Sequence, residues 1–174
     1  MKRFTSPIYL FAVALVFAIP LNAADGASSQ TAYTELDGPA LFERIKSLVG
    51  EWRGEWTPGG VSTTVTYSLT GNGSALVEDY LVGETTMSTL YHLDGDILML
   101  THYCSVGNQP RMGAAALSSD GGEIVFDQFD ITNLGEKGYS ERLTLTLTDE
   151  DHIAVFYRGS RTGSSSGVVL ERVQ

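Results

Sequence analysis

Two periodicities divide the chain. Between Asp37 and Gly50, apolar residues recur at spacings of three and four: Leu41, Ile45, Leu48 and Val49. That is the period of an amphipathic helix. Asp37 can cap it, Pro39 suits its first turn, and Gly50 offers a stop. The spacing predicts one helix of about three turns, with an apolar stripe that must cover something. After Gly50 the period falls to two. Val61, Val65, Tyr67 and Leu69 alternate with Ser62, Thr64, Thr66 and Ser68, and Leu143, Leu145 and Leu147 alternate with Thr144, Thr146 and Thr148. Ile153, Val155 and Tyr157 repeat the pattern. Threonine, valine and tyrosine suit a half-buried pleated surface.

Turn-forming residues separate these runs: Pro58-Gly59-Gly60, Gly71-Asn72-Gly73, Asp94-Gly95, Asp120-Gly121-Gly122, Gly135 to Gly138, Asp149 to Asp151 and Gly163 to Ser166. About ten strands result, near 51–57, 61–70, 74–82, 85–93, 96–104, 111–118, 122–130, 138–147, 152–160 and 165–173. Their short connections imply an antiparallel meander. Left open, it would carry two long unpaired edges; closure removes both. The expected fold is therefore mainly β: a closed antiparallel up-and-down barrel of about ten strands, with the N-terminal helix plugging one end. A two-layer sandwich is the alternative.

The N-terminus reads differently. Lys2 and Arg3 precede an apolar run from Ile8 to Leu21, and Ala23-Ala24 supply small residues for cleavage. The run is too short to span a bilayer core of about 30 Å comfortably. Residues 1–23 read as a cleaved signal peptide, 24–36 as a flexible tether and 37–174 as the barrel domain. The protein is then exported, to the periplasm or beyond the cell. No second apolar run of 18 residues follows, so no membrane span is expected in the remaining chain. With 21 acidic and 11 basic residues the net charge is -10, which disfavours nucleic acid as a partner. Cys104 is the one cysteine, so no intramolecular disulfide can form.

The segment Leu48-Val49-Gly50-Glu51-Trp52-Arg53-Gly54 places Gly-x-Trp at the start of the first strand, after a short helix. This resembles the calycin superfamily of ligand-binding barrels (lipocalins, fatty-acid-binding proteins), and most of all nitrobindin-type barrels. The resemblance implies ten strands and a Trp52 that closes one barrel end. Tyr91 to Asp96, Leu98 to Cys104, Gly107 to Met112 and Asp130 to Leu134 resemble a family of uncharacterised exported bacterial proteins with calycin-like barrels. That resemblance implies a fold and no settled activity.

The residues raise several chemistries. His92, His102 and Cys104 have ligand types that suit zinc. A hairpin turning at Asp94-Gly95 sets His102 opposite Met87, or Thr86 with a three-residue loop. Either way the two histidines lie roughly 17–20 Å apart, so no metal site is expected. Haem in nitrobindins is held by a histidine near the C-terminus, but His152 follows Asp149-Glu150-Asp151 in a turn, and no haem or other cofactor is assigned. His102 and Cys104 share a strand face with Cα atoms about 6.6 Å apart, too far for a thiol–imidazole pair without a bulge. No catalytic residue is assigned.

The stretch from His102 to Arg111 is the most informative, with His, Tyr, Cys, Asn, Gln and Arg in ten residues. If the barrel closes, its connection lies at the same end as the one holding Asp130 and Asn133, and Arg111 could pair with Asp130. Trp52, His102, Cys104, Asn108, Gln109, Arg111, Asp130 and Asn133 are the candidate ligand-binding residues, orienting a carboxylate or carbonyl of a small, partly apolar molecule. A hydrogen-bonded loop lock is the competing account of the same residues. Fatty-acid-binding barrels hold a carboxylate with inward arginines on late strands, and that resemblance makes Arg53, Arg158, Arg161 and Arg172 further candidates for such a grip, with exposed arginines on a solvated face as the alternative. An enzyme using the His102–Arg111 cluster, a haem-binding barrel and a barrel filled by its own side chains are the alternatives to ligand binding.

Overall fold

The computed structural model describes residues 36–174 apart from Lys137. The expected signal peptide at 1–23, and all but the last residue of the expected tether at 24–36, lie outside the described residues.

Helix α1 spans Gly38–Ile45 and runs into one 3-10 turn at Lys46–Leu48. Asp37 caps it: its Oδ1 accepts from the Ala40 amide at 2.9 Å. Leu41, Phe42, Ile45 and Leu48 are buried. Val49, expected in the stripe, is 43% exposed, because the chain has already turned to extended backbone there (φ -47, ψ 125). A Cβ on Gly38 would lie 2.1 Å from the carbonyl oxygen of Asp96, so the helix starts hard against a strand turn.

Ten strands follow: β1 Gly50–Thr57, β2 Val61–Thr70, β3 Ala75–Val82, β4 Thr85–Asp94, β5 Ile97–Tyr103, β6 Gln109–Leu117, β7 Glu123–Thr132, β8 Ser140–Leu147, β9 His152–Gly159 and β10 Ser165–Arg172. Each pairs antiparallel with its sequence neighbours, and β1 pairs with β10 from Trp52 opposite Arg172 to Thr57 opposite Gly167. The sheet is a closed barrel, not a sandwich. Strand bounds fall within one or two residues of those the alternation predicts, because turn residues punctuate every connection.

One register differs from expectation. Asp94 pairs with Ile97, so the β4–β5 turn is Gly95-Asp96, with Gly95 at φ 58, rather than Asp94-Gly95. The ladder slides by two residues and His102 pairs with Thr89, not Met87 or Thr86. Two is the side-chain period of a strand, so His92 and His102 keep opposite faces.

Trp52 is fully buried at the helix end. Its indole N–H donates to the Leu48 carbonyl at 2.8 Å, and the Arg172 guanidinium lies 4.1 Å above its ring. Arg172 also donates to the carbonyls of Ser47 at 3.0 Å and Val49 at 3.1 Å. Plug, first strand and last strand are thereby tied together. Elsewhere large side chains meet across the barrel: the rings of Tyr91 on β4 and Phe126 on β7 lie 5.9 Å apart.

Candidate functional site

Strand β3 carries Leu76, Glu78 and Tyr80 on one buried face. Period two makes that face continuous. The sheet register then sets Tyr67 opposite Glu78, Glu78 opposite Thr89, and Thr89 opposite His102. All four side chains are buried. Four neighbouring strands thus present one polar row to the interior of a mostly apolar barrel.

Hydrogen bonds gather at both ends of the row. Glu78 receives Tyr67 and Tyr80 (2.9 Å) at Oε1 and Tyr91 at Oε2, 3.1 Å. Thr89 stands opposite Glu78 in the sheet, and its hydroxyl lies 3.0 Å from His102 Nδ1. Tyr157 reaches in from β9: its ring centre is 4.8 Å from that of His102 and its hydroxyl 3.5 Å from Nδ1. Half-buried Trp56 stacks on Tyr157 at 6.2 Å and meets Tyr80 edge-on at 6.1 Å.

Burial governs the charges here. It raises the pKa of Glu78, and the donated bonds from Tyr67, Thr89, Tyr80 and Tyr91 only partly oppose it. Burial also lowers His102 to about 4, so the imidazole is neutral at neutral pH. Tyr67, Tyr80, Tyr91 and Tyr157 are pushed well above 10, first by burial and then by the Glu78 carboxylate. The interior holds a carboxyl and a neutral imidazole on either side of a threonine hydroxyl, groups able to bind a polar partner.

The sequence-predicted residues fall into separate places. Trp52 sits at the plugged end. His102 is inside the row. Cys104 and Asn108 continue the inward faces of β5 and β6 across the connecting turn, where the Cys104 amide donates to the Asn108 carbonyl at 3.0 Å. Cys104 is half-buried and near enough to Tyr157 to raise its pKa slightly. Asn108 is 2% exposed; its Nδ2 donates to the Gly138 carbonyl at 2.7 Å, while its Oδ1 has no partner among the described residues.

The other four form a lock on the outside. Gln109 Oε1 accepts from Thr132 Oγ1 and Asn133 Nδ2, both at 2.7 Å. Arg111 pairs with Asp130 directly across β6 and β7, with the two side chains 44% and 42% exposed. Asp130 lies within β7, not in the connection after it. The inward arginine grip is absent. Arg53 pairs with Glu51, Arg158 with Glu141 and Arg161 with the Glu136 carbonyl, while Arg172 serves the plug. The buried polar residues are Thr63, Glu78, Thr89, His102, Asn108 and Ser118, with no lysine or arginine among the described residues. His152 opens β9 at the surface, 2.8 Å from Asp149.

Sequence reasoning missed Glu78, its tyrosines, Thr89, Tyr157 and Trp56. One signal was available: in Leu76-x-Glu78-x-Tyr80 an acid shares the strand face of two large apolar residues.

Fold and site together define a closed ten-stranded antiparallel barrel, plugged by a short helix, with a polar row buried inside. Among solved structures, the chain is similar to a protein of unknown function of the DUF3598 family from Nostoc punctiforme. The two share 20% identity with a TM-score of 0.51, over 74% of this chain and 48% of that one, so this chain spans about half the length of that protein. The likeness is one of fold. No family model and no curated protein matches the chain.

Proposed function

We propose that this is an exported, calycin-like barrel that binds a small, partly apolar molecule without covalent chemistry, at the interior end opposite the plug helix. The supporting observation is the row Tyr67–Glu78–Thr89–His102. A carboxyl and an imidazole buried in a barrel interior cost stability that an apolar filling would not. Such groups gather where a chain must recognise something. At the end away from the helix, Trp56, His102, Cys104, Asn108 and Tyr157 supply aromatic faces beside a few polar atoms, the usual make-up of a small-molecule site. The export reading rests on residues 1–23 alone.

A second reading is favoured by a specific contact. The rings of His102 and Tyr157 reach each other from β5 and β9, as those of Tyr91 and Phe126 do from β4 and β7, and such packing fills the interior. Ligand entry therefore requires Tyr157 and Trp56 to swing aside. Native mass spectrometry of protein purified from its own host separates the two. A retained small molecule, released on unfolding and lost in His102→Ala, supports the binding barrel. Mass equal to the bare chain in every charge state supports the filled one.

A further inference from the structure

Resting on that reading, we propose the chemical class of the ligand: an uncharged, partly apolar molecule whose N–H or O–H is received by Asn108 Oδ1. The amide is held in one orientation because its Nδ2 donates to the Gly138 carbonyl at 2.7 Å. Only a donor can satisfy that carbonyl, so Oδ1 is the free end. It is a buried acceptor with no donor among the described residues. Buried acceptors left unpaired are rare and costly, about 1–3 kcal/mol each. Asn108 lies on the inward face of its hairpin, across from Cys104 and two positions along from buried Pro110. The unpaired oxygen thus belongs to the same end of the interior as His102 and Tyr157.

The interior also excludes the opposite class. A buried carboxylate ligand needs a cation or several donors. No arginine or lysine among the described residues is buried; Arg111 is engaged outside by Asp130, and Arg161 by the Glu136 carbonyl. The net charge of -10 repels an anion further. A cation would exchange full hydration for a site whose one carboxyl already accepts three tyrosine hydroxyls. What fits is a neutral donor on an aromatic or aliphatic body, set against Trp56 and Tyr157.

Isothermal titration of the purified chain with indole, 1-methylindole and 1-naphthoate tests this. Indole and 1-methylindole differ in the N–H alone, and 1-naphthoate carries the carboxylate. Indole is expected to bind about 10- to 100-fold tighter than 1-methylindole, the usual range for an unmet buried polar group, and 1-naphthoate to bind weaker still. Asn108→Ala, checked by thermal melting, should bring the two indoles to within about threefold. Should that variant fail to fold, the Asn108 side-chain amide resonances of the wild type serve instead, moving with indole and not with 1-methylindole. Equal or tighter binding of 1-methylindole or 1-naphthoate overturns the donor assignment and leaves the binding barrel standing. Absence of heat and of resonance shifts with all three overturns the binding barrel itself, and the donor assignment with it.

Discussion

Glu78 and His102 sit two strands apart in the same row, yet burial moves their proton affinities in opposite directions, and stability should record both. Folded Glu78 keeps its proton above 4.5, where the unfolded chain has released it, so stability falls as pH rises from 4.5 through the raised folded value. Folded His102 refuses a proton that the unfolded chain takes up below 6.5, so stability falls as pH drops from 6.5 to about 4. The His102 contribution is on the order of 3 kcal/mol across that window. Urea midpoints measured across this range should show Glu78→Gln losing the decline toward alkaline pH and His102→Gln losing the decline toward acid. Parallel profiles for wild type and Glu78→Gln would place that carboxyl in water. Such a row is hard to see in the chain itself. Tyr67 and Glu78 are 11 residues apart, Thr89 and His102 13, and only lateral pairing makes them neighbours.

The helix is short, and its place depends on two contacts at its start. Loss of the Asp37 cap should cost about 1 kcal/mol, the ordinary value for an N-cap aspartate replaced by alanine. Gly38→Ala should cost more, although alanine is the better helix former, because the added methyl would meet the Asp96 carbonyl at 2.1 Å. Equilibrium urea unfolding ranks the two; a stabilised Gly38→Ala would show that the helix does not press on the β4–β5 turn. The strands were legible because one face is wet and the other dry, which writes period two into the residues. The turn between β4 and β5 was legible only to within two residues, since Asp94-Gly95 and Gly95-Asp96 are equally good turn pairs, and Gly95 takes the left-handed position in the latter.

Closure is a property of the whole sheet, and its seam is narrow. At the β1–β10 joint a Cβ on Gly54 would stand 2.0 Å from the Val169 carbonyl oxygen, with β10 backbone as the obstacle. Gly54→Ala should open this seam first. Hydrogen exchange is expected to show β1 and β10 amides losing protection while β3–β5 amides keep theirs. Opening exposes two unpaired strand edges, so the same variant should self-associate in light scattering. A monomer with unchanged seam protection would mean the joint yields without parting.

The succession of helix, turns and alternating strands was present in local composition, because solvent acts on each residue of a strand separately, and closure followed from the need to remove two edges. The inside of the barrel was not present there. The polar hairpin His102–Arg111 stood out along the chain, but folding splits it by side-chain parity: His102, Cys104 and Asn108 turn inward, whereas Gln109 and Arg111 turn outward to lock β6 to β7. Which polar groups share an interior is settled by register between strands, and register is fixed by turn geometry and packing that no single segment carries.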